Sequence, residues 1–231
     1  MSSSASLPAN VHVSRHPCLR VKLSQLRSDK ITPRETSELV QEIATIISCE
    51  AFASSLDVSS SGTARTPLGY EYPVEAIATE KIALVPILRS GLGMIQAIQT
   101  MLPTMAPVHH LGLFREPTTL QPVEYYNNLP SNPAVSGENS SAAKLAILID
   151  PVIATGSTAV AAIQTLKEWG VERIIFLAIL GSETGLIRAA SEWPEGVQIW
   201  AAGVDQQVDS KGMIKPGLGD IGDRLFLAIG K

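Results

Sequence analysis

The run from Ile147 to Thr158 reads ILIDPVIATGST: an acid closes an apolar stretch, and Thr155-Gly156-Ser157-Thr158 leads into a helical pattern. Ligands of open α/β sheets bind outside the carboxyl ends of the strands, and Asp150 stands at such an end. Its carboxylate suits the hydroxyl groups of a sugar. The backbone N–H groups and hydroxyls of Thr155 to Thr158, at the start of a helix, suit an anion. Gly156 allows the chain to approach that anion with no Cβ in the way. An acid for hydroxyls beside a nest for a phosphate describes a sugar-phosphate pocket; the plainer alternative is a buried strand followed by an ordinary Ser/Thr helix cap.

Three further groups carry chemistry. Arg89, in Ile87-Leu88-Arg89-Ser90-Gly91-Leu92-Gly93, stands at a second strand end, where a planar guanidinium can grip a diphosphate with two bonds or simply face solvent. Arg115 opens a long irregular segment and, with Thr119, Tyr125 and Tyr126, would form a lid over a ligand or a solvated loop. Gly217-Leu218-Gly219-Asp220-Ile221-Gly222 matches G-x-G-x-x-G in form only, because nine residues after Gly222 leave no room for the strand, helix and acid of a dinucleotide site. It reads instead as a tight loop exposing backbone N–H and C=O groups, with Asp220 and Asp223 as carboxylates, or as a plain turn. His109-His110 has no acid or cysteine at ligand spacing and reads as a pair of strand-end histidines. No lysine follows Gly156, so the P-loop motif of kinases and GTPases is absent.

The 231 residues, 45% hydrophobic and 17% charged, suffice for one large domain, or a domain with a small appendage, with a sizeable core. A net charge of −4 excludes a general nucleic-acid binder, which needs a basic face, so phosphate recognition must be local. Cys18 and Cys49 make no disulfide framework and point to a reducing compartment. MSSSASLPAN lacks the pattern of a secretory signal, and no apolar run reaches membrane-spanning length. Asn139-Ser140-Ser141 matches a glycosylation acceptor by chance in that setting. The expectation is a cytoplasmic protein with no membrane or nucleic-acid partner.

These groups need elements to hold them. Residues 1–12 read as a disordered tail. Thr32-Pro33-Arg34-Glu35 is a capping box with Pro at the first helical position, starting a helix to about Phe52. A polar stretch from Ser54 to Thr66 precedes a weak strand at Glu71 to Val74. Strands are predicted at 82–88, 108–114, 145–149, 173–180 and 197–202, and helices at 91–101, 158–169 and 182–193. Residues 115–142 show little periodicity, as functional or mobile segments do. Near-continuous apolar strands alternating with short helices mean a parallel sheet covered on both faces.

Five segments, in order from about His16 to Arg224, resemble the uracil phosphoribosyltransferases: HPCLRVKLSQLR, ILRSGLGM, FREPTTLQPVEYYNNLP, DPVIATGST and KPGLGDIGDR. The resemblance implies a type I phosphoribosyltransferase fold: an α/β parallel sheet flanked by helices, with a C-terminal hood (about 203–231) and a flexible arm (about 115–142) in a single domain, 13–231. It implies transfer of a phosphoribosyl group to uracil, giving UMP and diphosphate, with Mg²⁺ bound mainly through the substrate diphosphate and no metal-ligating side chain assigned. Phosphoribosyl diphosphate would lie across Arg89, Arg115, Asp220 and the loop Asp150, Pro151, Val152, Ile153, Ala154, Thr155, Gly156, Ser157 and Thr158. Uracil would be read by Ile214, Gly219, Asp220 and Ile221, largely through backbone groups. Asp220 and Arg115 are the candidates for a direct catalytic part. A homodimer or homotetramer and a GTP effector are also implied.

Pro151 and Ala154 stand where related phosphoribosyltransferases carry acids, and in purine enzymes the second of these faces the base. Ile221 replaces the family's Ala and adds bulk at the base site. Ser157 replaces a Gly, which requires a negative φ, and Ser131 to Ser141 resembles an insertion. Rival expectations are a phosphoribosyltransferase for another pyrimidine and a catalytically silent ligand sensor on the same fold.

Overall fold

Two interleaved sets of apolar side chains on the same strands determine the architecture. The computed structural model describes residues 6–78, 81–116, 121–130 and 143–227. In chain order the elements are β1 (Val11–Val13), α1 (Pro17–Leu26), α2 (Pro33–Ser55), β2 (Val58–Arg65), β3 (Glu71–Ile77) and β4 (Ile82–Leu88). A 3-10 turn (Ser90–Met94) leads to α3 (Ile95–Met101), β5 (Leu111–Arg115), β6 (Pro122–Asn127), β7 (Leu145–Ile149) and β8 (Val152–Ile153). Then come α4 (Ser157–Trp169), β9 (Arg173–Ser182), α5 (Glu183–Glu192), β10 (Val197–Asp205), β11 (Gln207–Val208), β12 (Ile214–Lys215) and α6 (Ile221–Phe226).

The main sheet runs β1-β10-β9-β7-β4-β5-β6, parallel except for the antiparallel β5–β6 pair at its edge. Successive side chains of a strand point to opposite faces. On one face Ala83, Val85, Ala146, Leu148, Ile174 and Phe176 pack with Ala162, Ile163 and Leu166 of α4 and Leu186 and Ala189 of α5. On the other, Leu84, Leu145, Ile147, Ile175 and Leu177 meet Leu19 and Leu23 of α1, Val40, Ile43 and Ile47 of α2 and Ile98 of α3. Both faces are dry, which is why these strands carry no alternation of polar residues.

Thr32 caps α2 as its sequence predicts: its Oγ1 accepts from Glu35 N, and the Glu35 carboxylate accepts from Thr32 N. The bonds that the Glu35 carboxylate accepts from Thr32 N and Thr32 Oγ1 hold it below its ordinary range. Gly170 closes α4 at φ 97°, a conformation open to glycine.

Several elements depart from expectation. The tail boundary at residue 12 falls inside β1, where Val11 and His12 pair with Ile199 and Trp200, and the His12 ring stacks on Trp200 at 4.3 Å. Three residues at an edge leave too short a pattern to read. Helix α1 was not anticipated, although Leu19, Leu23 and Leu26 recur at helical spacing and are buried. The stretch expected to be an irregular polar link contains β2, paired antiparallel with β3 in a hairpin. Both strands are largely exposed, so burial imposed no apolar period on them. The predicted helix 91–101 splits into the 3-10 turn and α3. Within the expected arm, β6 is a regular strand along β5, and residues 117–120 and 131–142 lie outside the described residues, as do 1–5. No helix among the described residues is long and apolar enough to cross a membrane.

Candidate active site

The carboxyl ends of β4 and β7 open into one cleft of about 320 Å³, roofed by the chain from Gly212 to Gly222. Its lining brings together Arg89, Ser90, Asp150, the loop from Val152 to Gly156, Thr158, Ile214 and Gly219 to Ile221. Most of the site predicted from sequence therefore converges, although its parts lie up to 132 residues apart, from Arg89 to Ile221.

Asp150 follows β7 directly and is 9% exposed. Ser90 Oγ donates to its Oδ1 at 3.1 Å, which ties the acid to the turn after β4. Gly91 makes that turn possible: a Cβ there would lie 2.5 Å from Ile149 O. Ser90 is the site residue that sequence reasoning passed over, although it sits between Arg89 and Gly91 in a segment already singled out.

The loop from Thr155 leads directly into α4. Gly156 is its N-cap at φ 78°, and Ser157 is helical, with the negative φ its side chain needs. The need for glycine at 156 has a second cause on the side away from the cleft. A Cβ there would lie 2.7 Å from Gly185 O and 3.1 Å from Arg188 Cβ, both on α5. Pro151 and Ser157 do not line the cleft. Pro151 O accepts from Ile179 N and Leu180 N of β9, and Ser157, 6% exposed, turns toward Thr155 and Arg188.

Arg89 reaches across to the roof, where its Nη2 donates to Asp223 Oδ1 at 3.1 Å. The Leu88–Arg89 and Lys215–Pro216 peptides are cis. Arg115 ends β5, which places its backbone near the cleft residues Leu113 and Phe114; its side chain lies outside what the structure describes.

The roof is a small antiparallel pair, β11–β12, followed by the glycine loop and α6. Asp209 Oδ1 accepts from Lys211 N and Met213 N, each at 2.9 Å, and these bonds, chiefly the one from Met213, lower its pKa. Gly217 (φ 69°) lies against Ile214 O, where a Cβ would come within 2.2 Å. Asp220 caps α6 by accepting from Asp223 N at 3.0 Å through Oδ1, leaving Oδ2 without a protein donor among the described residues. Arg224 donates to Leu26 O and Leu218 O, both at 2.8 Å, and to Ser28 O at 3.0 Å. Ile221 lines the cleft but is only 4% exposed, and it belongs to the apolar layer beneath it, which takes up its bulk.

The comparisons with known proteins decide the family. The sequence pattern described as "Uracil phosphoribosyltransferase" matches residues 13–228. The chain belongs to the uracil phosphoribosyltransferase family. A curated uracil phosphoribosyltransferase of Roseiflexus castenholzii is 44% identical over 217 residues, covering 94% of this chain and 97% of that one. Another, from Halalkalibacterium halodurans, is 40% identical, covering 94% and 98%. The solved AQ2163 protein of Aquifex aeolicus superimposes with a TM-score of 0.82 at 28% identity, covering 94% and 98%. The adenine phosphoribosyltransferase of Trypanosoma brucei, at 17% identity and a TM-score of 0.53 over 88% of this chain and 87% of that one, shares the type I phosphoribosyltransferase fold.

The cleft divides chemically into two ends. The loop after β7 brings Asp150, Thr155, Gly156 and Thr158 to one end. The roof contributes Met213, Ile214 and Gly219 to Ile221 to the lining. The carbonyls of Pro151 and Ala154 tie this loop to β9: Pro151 O accepts from Ile179 N and Leu180 N, and Ala154 O from Ser182 Oγ.

Proposed function

We propose that the cleft transfers the phosphoribosyl group of phosphoribosyl diphosphate to uracil, releasing UMP and diphosphate. The observation that carries this reading is the meeting of Asp150 and the Thr155–Thr158 loop with the backbone loop Gly219–Ile221 in one cleft. The 5′-phosphate takes the N–H groups and hydroxyls at the start of α4. Asp150, held by Ser90, takes the ribose hydroxyls. Uracil, a small planar base with alternating donors and acceptors, is read by the exposed backbone of the roof. A site built from such bonds rejects bases that leave buried groups unpaired.

The bond from C1 of the ribose to the diphosphate breaks, its electron pair leaving with the diphosphate, as N1 of uracil gives up its proton to solvent and bonds to C1 on the opposite face, inverting that centre. Positive charge grows on the ribose ring and negative charge on the diphosphate. Catalysis is then positioning plus stabilisation of that separated charge. Arg89 exchanges Asp223 for the diphosphate, Arg115 adds a second cation from β5, and Asp220 supplies negative charge beside the ribose. No covalent nucleophile enters the scheme.

Mg²⁺ fits this donor set as a passenger of the substrate. No cluster of three or more metal-ligating side chains exists among the described residues, and Mg²⁺ is commonly held by one or two carboxylates plus substrate phosphates. Asp150 and Asp220 are the carboxylates that line the cleft and would hold it. Bound there, the ion would neutralise charge on the leaving diphosphate. A cytoplasmic homodimer or homotetramer responsive to GTP, organised as one domain from residue 13 with a hood and an arm, completes the proposal.

UMP formation from uracil and phosphoribosyl diphosphate with Mg²⁺, run beside cytosine and orotic acid, tests it. Turnover confined to uracil is expected. Turnover confined to another base would overturn the base assignment, and binding of phosphoribosyl diphosphate without turnover of any base would make the protein a sensor.

A further inference from the structure

The anion loop rests on one face of α5. Ser182, which caps α5, and Gly185 and Arg188 within it are spaced three apart and so lie toward one side of the helix. Ser182 Oγ donates to Ala154 O and accepts from Gly185 N at 2.9 Å. Gly185 leaves room for the loop, since a Cβ there would lie 2.1 Å from Ala154 O. Arg188 ends the stripe. Its Nη1 donates to Ser157 Oγ at 2.7 Å and lies 3.5 Å from Thr155 O. Ser157 Oγ is also 3.2 Å from Thr155 Oγ1.

Two consequences follow from hydrogen-bond direction and charge. A guanidinium only donates, so Ser157 Oγ accepts from it, and the hydroxyl proton must point elsewhere. Thr155 Oγ1, 3.2 Å away, is placed to accept it. Arg188 thereby turns the Ser157 hydroxyl toward Thr155 Oγ1, which leaves the Thr155 hydroxyl, in the lining of the cleft, to donate to an anion. No carboxylate pairs with Arg188 among the described residues, so its positive charge is uncompensated beside the nest.

We propose that Arg188 is a positioning residue for the 5′-phosphate of the phosphoribosyl substrate, acting through the Ser157 hydroxyl and by its charge from behind the loop. This rests on the phosphoribosyltransferase reading of the cleft. Arg188 does not line the cleft, so its effect falls on the phosphate end and not on the base or the diphosphate.

The test compares wild type with Arg188→Ala, Arg188→Lys, Ser157→Ala and the double variant R188A/S157A, using ribose 5-phosphate and inorganic diphosphate as separate inhibitors. In Arg188→Ala, KM for phosphoribosyl diphosphate and Ki for ribose 5-phosphate should both rise about tenfold, the size of one lost charge-assisted hydrogen bond. KM for uracil and Ki for diphosphate should stay within about twofold, because those groups bind elsewhere and separate sites act independently. Arg188→Lys keeps the charge and should fall between. The double variant should be no weaker than the weaker single variant, because both changes remove the same coupled unit. An unchanged Ki for ribose 5-phosphate in Arg188→Ala would overturn the proposal, as would equal changes in all four constants, the mark of a general loosening of the fold. A wild-type protein that forms no UMP and binds no ribose 5-phosphate would instead overturn the reading of the cleft itself.

Discussion

Arg27 and Asp205 meet in a two-pronged ion pair, with both guanidinium–carboxylate contacts at 2.8 Å. The same two side chains hold Gly217 from both sides of its peptide: Gly217 N donates to Asp205 Oδ2, and Gly217 O accepts from Arg27 Nη1, each at 2.9 Å. The end of α1 is thus locked to the loop that we assign to the base. Arg224 adds a second lock nearby, binding Leu218 O together with Leu26 O and Ser28 O. The Asp205 side chain is 8% exposed, so Arg27→Ala strands a buried carboxylate and should cost about 3 kcal/mol in denaturant unfolding. In steady-state assays KM for uracil should rise more than KM for phosphoribosyl diphosphate. Equal KM effects would show that this pair supports the fold without aiming the loop.

Asp150→Asn keeps the shape and the bond from Ser90 Oγ but removes the charge offered to the ribose. Turnover per bound phosphoribosyl diphosphate should fall by about a hundredfold or more, as for loss of a preorganised charged partner. The melting temperature should hardly move. Unchanged kinetics would remove Asp150 from the site.

Gly156→Ala places a Cβ at φ 78° and within 2.7 Å of Gly185 O. The left-handed conformation costs a side-chain-bearing residue about 1–2 kcal/mol, and the clash with α5 adds to it. Calorimetry should show lower stability, and the phosphate end should weaken with it. Wild-type stability in this variant would mean that the loop and α5 are not packed as described.

Asp220 combines a cap with a carboxylate, and two substitutions separate them. Asp220→Asn keeps a side-chain oxygen for Asp223 N, so α6 persists while the charge is lost. Asp220→Ala loses both, with a further cost of about 1 kcal/mol for the cap. Equal kcat losses in the two variants, with only Asp220→Ala destabilised, would assign catalysis to the charge. Full activity in Asp220→Asn would leave Asp220 a cap alone.

Acid should weaken the fold in two stages. Burial holds the His12 and His109 rings below their ordinary value of 6.5, and the neighbouring His110 lowers His109 further. Between the folded and unfolded values the unfolded chain binds more protons, so stability rises with pH there and falls on acidification from about pH 7 to about pH 5. Asp209 and Glu35 are held low by the bonds their carboxylates accept, chiefly from Met213 N and Thr32 N. Their contribution is present above the ordinary carboxylate range and is lost only as pH falls through it. Melting temperatures measured across this span check both stages. A flat profile from about pH 7 to pH 5 would mean that both rings remain protonatable at no cost to the fold.

The parts of this protein that speak through local rules were legible in one dimension. Buried strands such as Leu145–Ile149 announce themselves because both faces of the sheet are dry. Thr32 and Glu35 announce a helix start because a cap is a local hydrogen-bond pattern. The loop after β7 was legible for the same reason, since an acid at a strand end and a Thr-Gly-Ser-Thr turn into a helix are neighbours in the chain. Elements without a one-sided core were silent: β1 is three residues at an edge, and β2 and β3 pair mainly with each other in solvent.

Only the tertiary structure decided how the distant pieces meet. Arg27 and Asp205 are 178 residues apart, and nothing in either neighbourhood names the other. The same holds for Ser157 and Arg188, whose contact depends on α5 packing across the start of α4. Residue type and spacing state what a side chain can bond, because those rules act over a few residues. Which partner it bonds depends on how the sheet twists and how its covering helices pack, and that is a property of the whole chain.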